Sequence, residues 1–477
     1  MSKPAKSDDQ PSDQVIKCRD DKGPVHFEET ASSSSAARSF TLSDSSTCAW
    51  AKSDEPFGTE KLRHRIEPWL TALVQSEHLS LFVGSGLTHA IHGLATGQSL
   101  PGMDLIAFDS MNDEISAESS RSAKAAGRAD GNFEDQVRVA AELIRGLQII
   151  ASTKAENAAV KDQLTTLQGE LTTALQGFAD SILKGERGLV TAPADKRDLA
   201  FNYLVSFLMS FASRSGTRER LQIFTTNYDR YIEAGADVAG LHLIDRFVGT
   251  LAPVFRSSRL DIDLHYNPPG MRGEPRYLEG VARFTKLHGS VDWLDYGRAI
   301  RRIGLPLGAT DTAPFLSATG LQSADAQRFM IYPNAAKDRE TVSYPYVDLF
   351  RDFAAAICRP NSTLVCYGYS FGDEHINRVI EDMLTIPSAH LVIIAYSDPL
   401  CRIARLYNRL GRHAQITLLL GDHLGDLRAL VDNYLPKPAI DRTTFRMADL
   451  LKARYSAESL DRNGNGDPAP DNDEPTK

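Results

Sequence analysis

The residues best suited to chemistry in this chain form a short polar turn, TTNYD, that begins at Thr225. The preceding residues 221–224 are apolar and strand-like, and a helical pattern follows the turn. Polar residues at the carboxyl end of a strand lie where open α/β sheets bind ligands. The threonines, Asn227 and Asp229 offer many hydrogen-bonding groups and no strong nucleophile. Taken alone, the same turn also suits an ordinary helix cap.

A glycine-rich turn follows an earlier apolar segment. Residues 79–83 have the pattern of a buried strand, and the string GSGLT opens a helix from Gly84 onward. Glycines at such a turn let the backbone approach a pyrophosphate, and a helix N-terminus favours its negative charge. The third glycine of the dinucleotide-binding fingerprint is absent, so a tight turn that needs positive φ remains the alternative.

Two further predicted strands end in residues that are useful for chemistry. Residues 281–287 lead to His288, and residues 363–367 lead to the string GYSFGDEHIN, which begins at Gly368. A single histidine at a strand end is more often structural than catalytic. A second polar strand end, at Asn227, favours a catalytic histidine, because both residues would line the same edge of the sheet.

The order of strands, turns and helices predicts an α/β fold with a Rossmann-like, mainly parallel sheet of about six strands. The last two strands are expected at residues 391–395 and 416–420. Residues 105–215 carry helical periodicity, which predicts a helical insertion subdomain before the Asn227 strand. We interpret this insertion as a lid or an assembly surface, with crossover helices that cover the sheet as the alternative.

Composition limits the class of protein. The chain has 477 residues, a net charge of −9 and five cysteines without a CxxC pair. The charge argues against a broad nucleic-acid-binding surface, and the cysteines argue against a zinc ribbon and suit a reducing cytoplasm. Residues 1–55 predict a disordered arm, and residues 436–477 predict a helix followed by a disordered acidic tail. Without an apolar run for a membrane span or a secretory signal, a cytoplasmic location is expected.

Four strings together resemble the Sir2-like (sirtuin) family: GSGLT at Gly84, TTNYD at Thr225, KLHGSVDW at Lys286 and GYSFGDEHIN at Gly368. In this order they are most similar to the bacterial branch of NAD-consuming defence proteins. The likeness covers roughly residues 80–398 and is interrupted by the helical region. The resemblance implies an NAD-binding catalytic domain over residues 56–435, with residues 105–215 as an insertion in it.

The resemblance also implies roles for individual residues. Asn227 would position a water beside the nicotinamide ribose, His288 would be the catalytic histidine, and Asp229 would lie near the carboxamide. Cleavage of the nicotinamide–ribose bond has a transition state with oxocarbenium character and a neutral leaving group, so oriented dipoles and a base suffice. The other implied cofactor contacts are Gly84, Ser85, Gly86, Thr88, Gly368, Ser370, Asn377, Ser397 and Asp398.

The chain departs from protein-deacylating sirtuins in three places. Those enzymes usually carry four zinc-binding cysteines between the histidine and the second Gly/Ser turn, and here only Cys358 and Cys366 lie near that interval, so no zinc is expected. The string Leu100-Pro101-Gly102 resembles the family's cofactor loop but is displaced by extra residues. The helical region also exceeds the family's small helical module.

The expected function is NAD⁺ glycohydrolysis, which yields ADP-ribose and nicotinamide, in an antiphage defence that depletes NAD when triggered. No GxxxxGK[ST] string is present, so a trigger in trans is expected, from a HerA-type ATPase or a short Argonaute, together with a homo-oligomer. No nucleic-acid or membrane partner is indicated. The alternatives are an NAD-dependent protein deacylase or ADP-ribosyltransferase, and a non-catalytic sensor of NAD or ADP-ribose.

Overall fold

The computed structural model describes most of the chain up to residue 437. The described residues are 13–30, 38–44, 46–52, 55–100, 104–125, 130–153, 158–214, 218–258, 262–266, 276–296, 299–312, 315, 344–398 and 400–437. The predicted C-terminal helix and acidic tail therefore lie outside the described residues, apart from positions 436 and 437.

The described strands number seventeen. They are β1 (Gln14–Lys17), β2 (Val25–Glu29), β3 (Ser39–Leu42), β4 (Phe57–Gly58), β5 (His78–Val83), β6 (Leu221–Thr225), β7 (His242–Ile244), β8 (Phe247–Val248), β9 (Val254–Phe255), β10 (His265–Tyr266), β11 (Arg276–Tyr277), β12 (Val281–Lys286), β13 (Trp293–Tyr296), β14 (Ala299–Arg302), β15 (Ser362–Tyr367), β16 (His390–Ala395) and β17 (Ile416–Leu420).

Eleven α-helices are described. They are α1 (Thr59–Val74), α2 (Ser85–Thr96), α3 (Asn112–Ala125), α4 (Phe133–Thr153), α5 (Ala158–Thr191), α6 (Ala194–Ala212), α7 (Tyr231–Ala239), α8 (Tyr346–Ile357), α9 (Glu374–Leu384), α10 (Arg402–Leu410) and α11 (Leu427–Ala429). A 3₁₀ turn at His413–Gln415 precedes β17, and a π-helical turn at Leu430–Tyr434 follows α11.

One large sheet organises the fold, in the order β4-β3-β2-β1-β17-β16-β15-β5-β6-β12-β7. The strands from β17 to β7 pair in parallel. Every residue of β15 and of β17 is buried, as is typical of parallel strands that are covered on both faces. The predicted mixed α/β fold with a mainly parallel sheet is confirmed, but the predicted six strands are too few, because the sheet has eleven.

The N-terminal segment supplies most of the strands that the prediction missed. Strand β1 pairs antiparallel with β17, with Val15 opposite Leu420, and β2 to β4 follow in turn. The rings of Phe27 and Phe40 are 5.3 Å apart, edge to face, in a buried cluster. The prediction of a disordered arm over residues 1–55 is therefore wrong for the described residues. Short strands separated by long polar stretches gave the segment a disorder-like average composition.

The region 105–215 contains helices α3 to α6, which divide between two environments. Helices α3, α4 and the first half of α5 share a separate apolar cluster that includes Phe133, Val137 and Leu167. Helix α6 instead packs Leu204 and Phe207 into the main core beside the sheet. The region is thus part subdomain and part crossover helix. None of the described helices is both long and apolar enough to cross a membrane.

His423 packs against the N-terminal strands, so the pH dependence of stability tests that packing. Its ring is 5% exposed, lies 4.9 Å from the Phe40 ring, and its Nε2 is 2.7 Å from the Tyr434 hydroxyl. Burial lowers the pKa of His423 from 6.5 to about 4. The unfolded chain therefore binds more protons between these pH values, and the stability that the neutral ring contributes is lost as pH falls from 6.5 to 4.

Because of this histidine, we expect the free energy of unfolding to fall by about 1–2 kcal/mol when the pH is lowered from 7 to 5. His423→Gln should make that pH dependence shallower in urea titrations, whereas His64→Gln, at a largely exposed imidazole, should leave it unchanged. Burial also lowers the pKa of His390 to about 4, so His390 contributes a pH dependence of the same sign. The contribution of His423 is therefore measured as the difference in pH dependence between wild type and His423→Gln. Equal slopes for wild type and His423→Gln would contradict the buried position.

Candidate active site

The four motif strings begin at one row of the sheet. Tyr367 of β15 is paired with Val83 of β5, Val83 with Thr225 of β6, and Thr225 with Lys286 of β12. The next residues in the chain are those of the two Gly/Ser turns, the asparagine turn and the histidine string. Because the strands are parallel and in step, all four strings open at the same carboxyl edge of the sheet.

A cavity of about 460 Å³ lies at this edge, within the usual range for small-molecule sites. The predicted site residues that line it are Ser85, Thr88, Asn227, Asp229, His288 and Ser370. Ser85 is the first residue of α2, so the positive end of that helix dipole faces the cavity and suits a phosphate.

The predicted glycines bring the two Gly/Ser turns into direct backbone contact. A Cβ on Gly84 would lie 2.4 Å from the Gly368 carbonyl oxygen, and one on Gly86 would lie 2.5 Å from the Gly368 Cα. The Gly86 N–H donates to the Gly368 carbonyl at 3.0 Å. Gly368 also has φ +63°, a left-handed conformation. The glycines are thus required because one turn packs against the other, as well as for any approach to a cofactor.

Asn227 is held by both hydrogens of its side-chain amide. Its Nδ2 donates to the Gly84 carbonyl at 2.9 Å and to Thr88 Oγ1 at 3.0 Å. Thr88 Oγ1 in turn donates to Asp229 Oδ2 at 2.6 Å. These bonds fix the plane of the amide and make Oδ1 of Asn227 its acceptor atom. An acceptor held in this way can orient a water or a hydroxyl group.

Asp229 and Lys286 also hold the turn that carries Asn227 in place. Asp229 Oδ1 accepts the backbone N–H of Tyr231 at 3.1 Å, at the start of α7. The buried Lys286 ammonium donates to the Asp229 carbonyl and lies 3.0 Å from Glu233 Oε1. Burial raises the pKa of Glu233, and the Lys286 charge opposes that rise. Lys286 therefore anchors the turn, a role that sequence reasoning missed.

His288 has an acidic partner that sequence reasoning also missed. Its Nε2 lies 3.0 Å from Asp373 Oδ2, and the two side chains are 10% and 7% exposed. Asp373 is the N-cap of α9, because its Oδ1 accepts the His375 N–H at 3.0 Å. The available signal was the aspartate before a helical pattern in GYSFGDEHIN, a common N-cap arrangement.

Arg402 adds a positive charge beside the second Gly/Ser turn. A Cβ on Gly372 would lie 2.8 Å from Arg402 Nη1 and 3.5 Å from Ser370 Oγ, so the guanidinium and the hydroxyl border one space. Asp398 accepts the backbone N–H groups of Arg402 at 2.8 Å and of Ala404 at 3.0 Å. Asp398 thereby caps the helix that carries Arg402. The residues around Arg402 form no recognisable motif, so sequence reasoning could not select this arginine.

Three predicted contacts with adenosine, Asn377, Ser397 and Asp398, are absent from the described lining of the cavity, as are Gly84, Gly86 and Gly368 of the two turns. Asn377 instead accepts the Tyr369 hydroxyl at 3.2 Å and donates to the Phe371 carbonyl at 3.1 Å, which braces the second turn. Ser397 is exposed at the end of β16. Contacts of these residues with an adenosine stay a prediction.

One stretch of this chain matches a known family model. Residues 221–415 match the family model of the SIR2-like domain. No curated protein matches the chain. The matched range holds Asn227, His288 and the Gly368 turn, and it supports the predicted Sir2-like resemblance and NAD-related chemistry at the cavity. The bacterial defence branch stays a prediction.

The helical region that precedes the matched range forms one wall of the cavity. Phe178 of α5 contacts the Tyr228 ring edge to face at 5.5 Å, and Ile182 and Ser181 line the cavity next to it. The fully buried Glu186 carboxylate lies 2.6 Å from the Arg230 guanidinium. This buried pair attaches α5 to the turn that carries Asn227, since leaving either charge unpaired would be strongly destabilising.

The described residues hold no cluster of three or more histidine, cysteine or acidic side chains that could bind a metal ion. Cys366 is buried within β15, and Cys358 follows α8. Burial raises the pKa of both thiols, which disfavours the thiolate that a metal requires. The expected lack of zinc remains a prediction.

Gly368→Ala and Gly97→Ala form a matched pair that tests the contact between the turns. Gly97 has φ +70°, like Gly368, but nothing lies within 4 Å of the Cβ that alanine would add. Gly97→Ala should cost about 1 kcal/mol from backbone strain alone. Gly368→Ala should cost about 1–3 kcal/mol more, because its Cβ would lie 2.6 Å from the Gly86 Cα. Urea denaturation measures both, and equal costs would show that the turns do not pack as described.

Proposed function

We propose that this protein is an NAD⁺ glycohydrolase that uses a Rossmann-like edge of its sheet. One observation carries the proposal. Asn227 and His288 follow neighbouring strands and line a single cavity together with Ser85 and Ser370 of the two Gly/Ser turns. A sensor of NAD would need the phosphate contacts of these turns. It would not need a fixed amide acceptor and a histidine in the same cavity.

The residues suit cleavage of the nicotinamide–ribose bond. The leaving nicotinamide is neutral, so a strong general acid is unnecessary. Oδ1 of Asn227 is held so that it can orient a water or a ribose hydroxyl, and His288 can accept the proton. The N-terminus of α2, Ser370 and Arg402 supply donors and positive charge for the pyrophosphate.

Water is the acceptor that the cavity wall favours. A protein deacylase needs a cleft for an extended peptide, whereas α5 places Phe178 and Ile182 directly beside the catalytic turn. The missing zinc cysteines argue in the same direction. Deacylation and ADP-ribosyl transfer to a protein therefore rank second.

We further propose that NAD depletion serves antiphage defence in the cytoplasm. Support comes from the resemblance of the four strings to defence proteins and from the lack of a GxxxxGK[ST] string in the sequence. The trigger would then act in trans, from a HerA-type ATPase or a short Argonaute. Assembly into a homo-oligomer would keep the enzyme inactive until it is triggered.

The first experiment is a chromatographic assay of NAD⁺ incubated with the purified protein. Wild type should release nicotinamide and ADP-ribose, and Asn227→Ala and His288→Ala should each reduce the rate by about 10²–10⁴-fold. Asn202→Ala, at an exposed position on α6, is the matched control and should keep full activity.

If the wild-type protein alone shows no turnover of NAD⁺, the assay would be repeated with the product of a neighbouring ATPase or Argonaute gene. Turnover in that mixture supports the trans trigger. If that mixture also shows no turnover while the protein still binds NAD, the hydrolase proposal would be overturned in favour of the sensor.

Arg402→Ala should weaken binding of the pyrophosphate. A charge-assisted hydrogen bond to phosphate contributes about 1.5–3 kcal/mol, so the KM for NAD⁺ and the Kd for ADP-ribose should rise about 10- to 100-fold. Arg409→Ala removes an exposed arginine from the same helix and should change neither. Titration calorimetry with ADP-ribose gives the Kd without any need for turnover. Unchanged affinity would remove Arg402 from the phosphate site.

A further inference from the structure

Asp373 touches two different structural elements with its two carboxylate oxygens. Oδ1 accepts the His375 N–H at 3.0 Å and so caps α9. Oδ2 lies 3.0 Å from Nε2 of His288, which is 85 residues away in the chain. The Asp373 N–H donates to the Tyr369 hydroxyl at 3.3 Å, and the Asp373 carbonyl accepts the Asn377 N–H at 3.0 Å. Both the backbone and the side chain of Asp373 are therefore fixed.

This geometry determines where the imidazole of His288 carries its proton. An ionised carboxylate only accepts hydrogen bonds, so the hydrogen between the two groups belongs to Nε2. In the neutral ring, Nδ1 then has the lone pair. When Nδ1 takes up a proton, the adjacent Asp373 carboxylate stabilises the resulting positive charge.

We infer that Asp373 is a positioning residue that selects the Nε2–H tautomer of His288 and makes Nδ1 the base of the site. The part of this inference that concerns turnover rests on the proposed NAD⁺ glycohydrolase function. In that reaction the oxygen of water bonds to the ribose carbon, and the C–N bond breaks with its electron pair on nicotinamide. Nδ1 receives the proton of the water, directly or through a ribose hydroxyl, and later releases it to solvent.

Helix capping alone would also explain an aspartate at this position, because aspartate is a common N-cap. The Asp373→Asn variant separates the two roles. Its side-chain amide would keep an acceptor for the His375 N–H, since asparagine caps helices as well as aspartate does. The amide nitrogen would donate toward His288 Nε2, which must then accept, and the ring proton moves to Nδ1.

The decisive measurement is the tautomer of His288 by ¹⁵N NMR of histidine-labelled protein, with the signal assigned by its loss in His288→Ala. Wild type should show a protonated Nε2 and an unprotonated Nδ1, and Asp373→Asn should reverse them. Asp426→Asn, at the aspartate that caps α11, is the matched control and should leave the His288 signals unchanged.

Turnover of NAD⁺ is the second measurement. Asp373→Asn should lower kcat about 10²–10⁴-fold, as expected when a catalytic imidazole is held in the wrong tautomer. In a His288→Ala background the same substitution should cause no further loss, because the two residues act as one unit. An additional loss in that background would show a purely structural role and overturn the inference.

The outcomes for the inference and for the proposed function are distinct. An unchanged tautomer in folded Asp373→Asn overturns the inference, whether or not the protein hydrolyses NAD⁺. A reversed tautomer in a protein that never hydrolyses NAD⁺, even with a trigger, supports the positioning role and overturns the hydrolase. If Asp373→Asn does not fold, Asp373→Ser is used instead. Serine preserves a strong N-cap but is too short to reach His288, so the ring should lose its single tautomer.

Discussion

The alignment of four parallel strand ends is the constraint on which the rest of the structure depends. Tyr367, Val83, Thr225 and Lys286 form one row, and each motif string starts at or immediately beyond it. Side chains alternate between faces along a strand, so a slip of one residue would turn every following side chain to the opposite face. The buried, apolar strands specify the register, and the register in turn specifies which polar groups share the cavity.

Buried polar contacts hold the residues beyond that row. Asn227, Thr88 and Asp229 form a continuous chain of hydrogen bonds, and Arg230 is paired with Glu186 of the neighbouring helix. Removing such groups from water is costly, and pairing offsets the cost without a large net gain in stability. What the arrangement contributes is orientation, since dipoles that are already aligned need no reorganisation during a reaction.

The sequence predicted the strand ends well and their partners poorly. Asn227 and His288 follow apolar strands with turn residues, a local pattern that can be recognised in one stretch of chain. Asp373 and Arg402 acquire their significance from tertiary contacts with distant residues, which no local pattern records. The N-terminal strands were missed for the same reason, because short strands such as β1 become stable by pairing with neighbours that include the distant β17.

The pairing of β1 with β17 joins two segments that are very far apart in the chain. Ile16 lies opposite Leu419, and β5 likewise pairs with the distant β15, with Val83 opposite Tyr367. Long-range pairing of this kind delays folding, because the loop must close before the contacts form. A ribosome adds about 5–20 residues per second, so β1 is made about 20–80 seconds before β17. The row of strand ends can therefore be completed only after β15 has been synthesised, and the cavity above it only after Arg402.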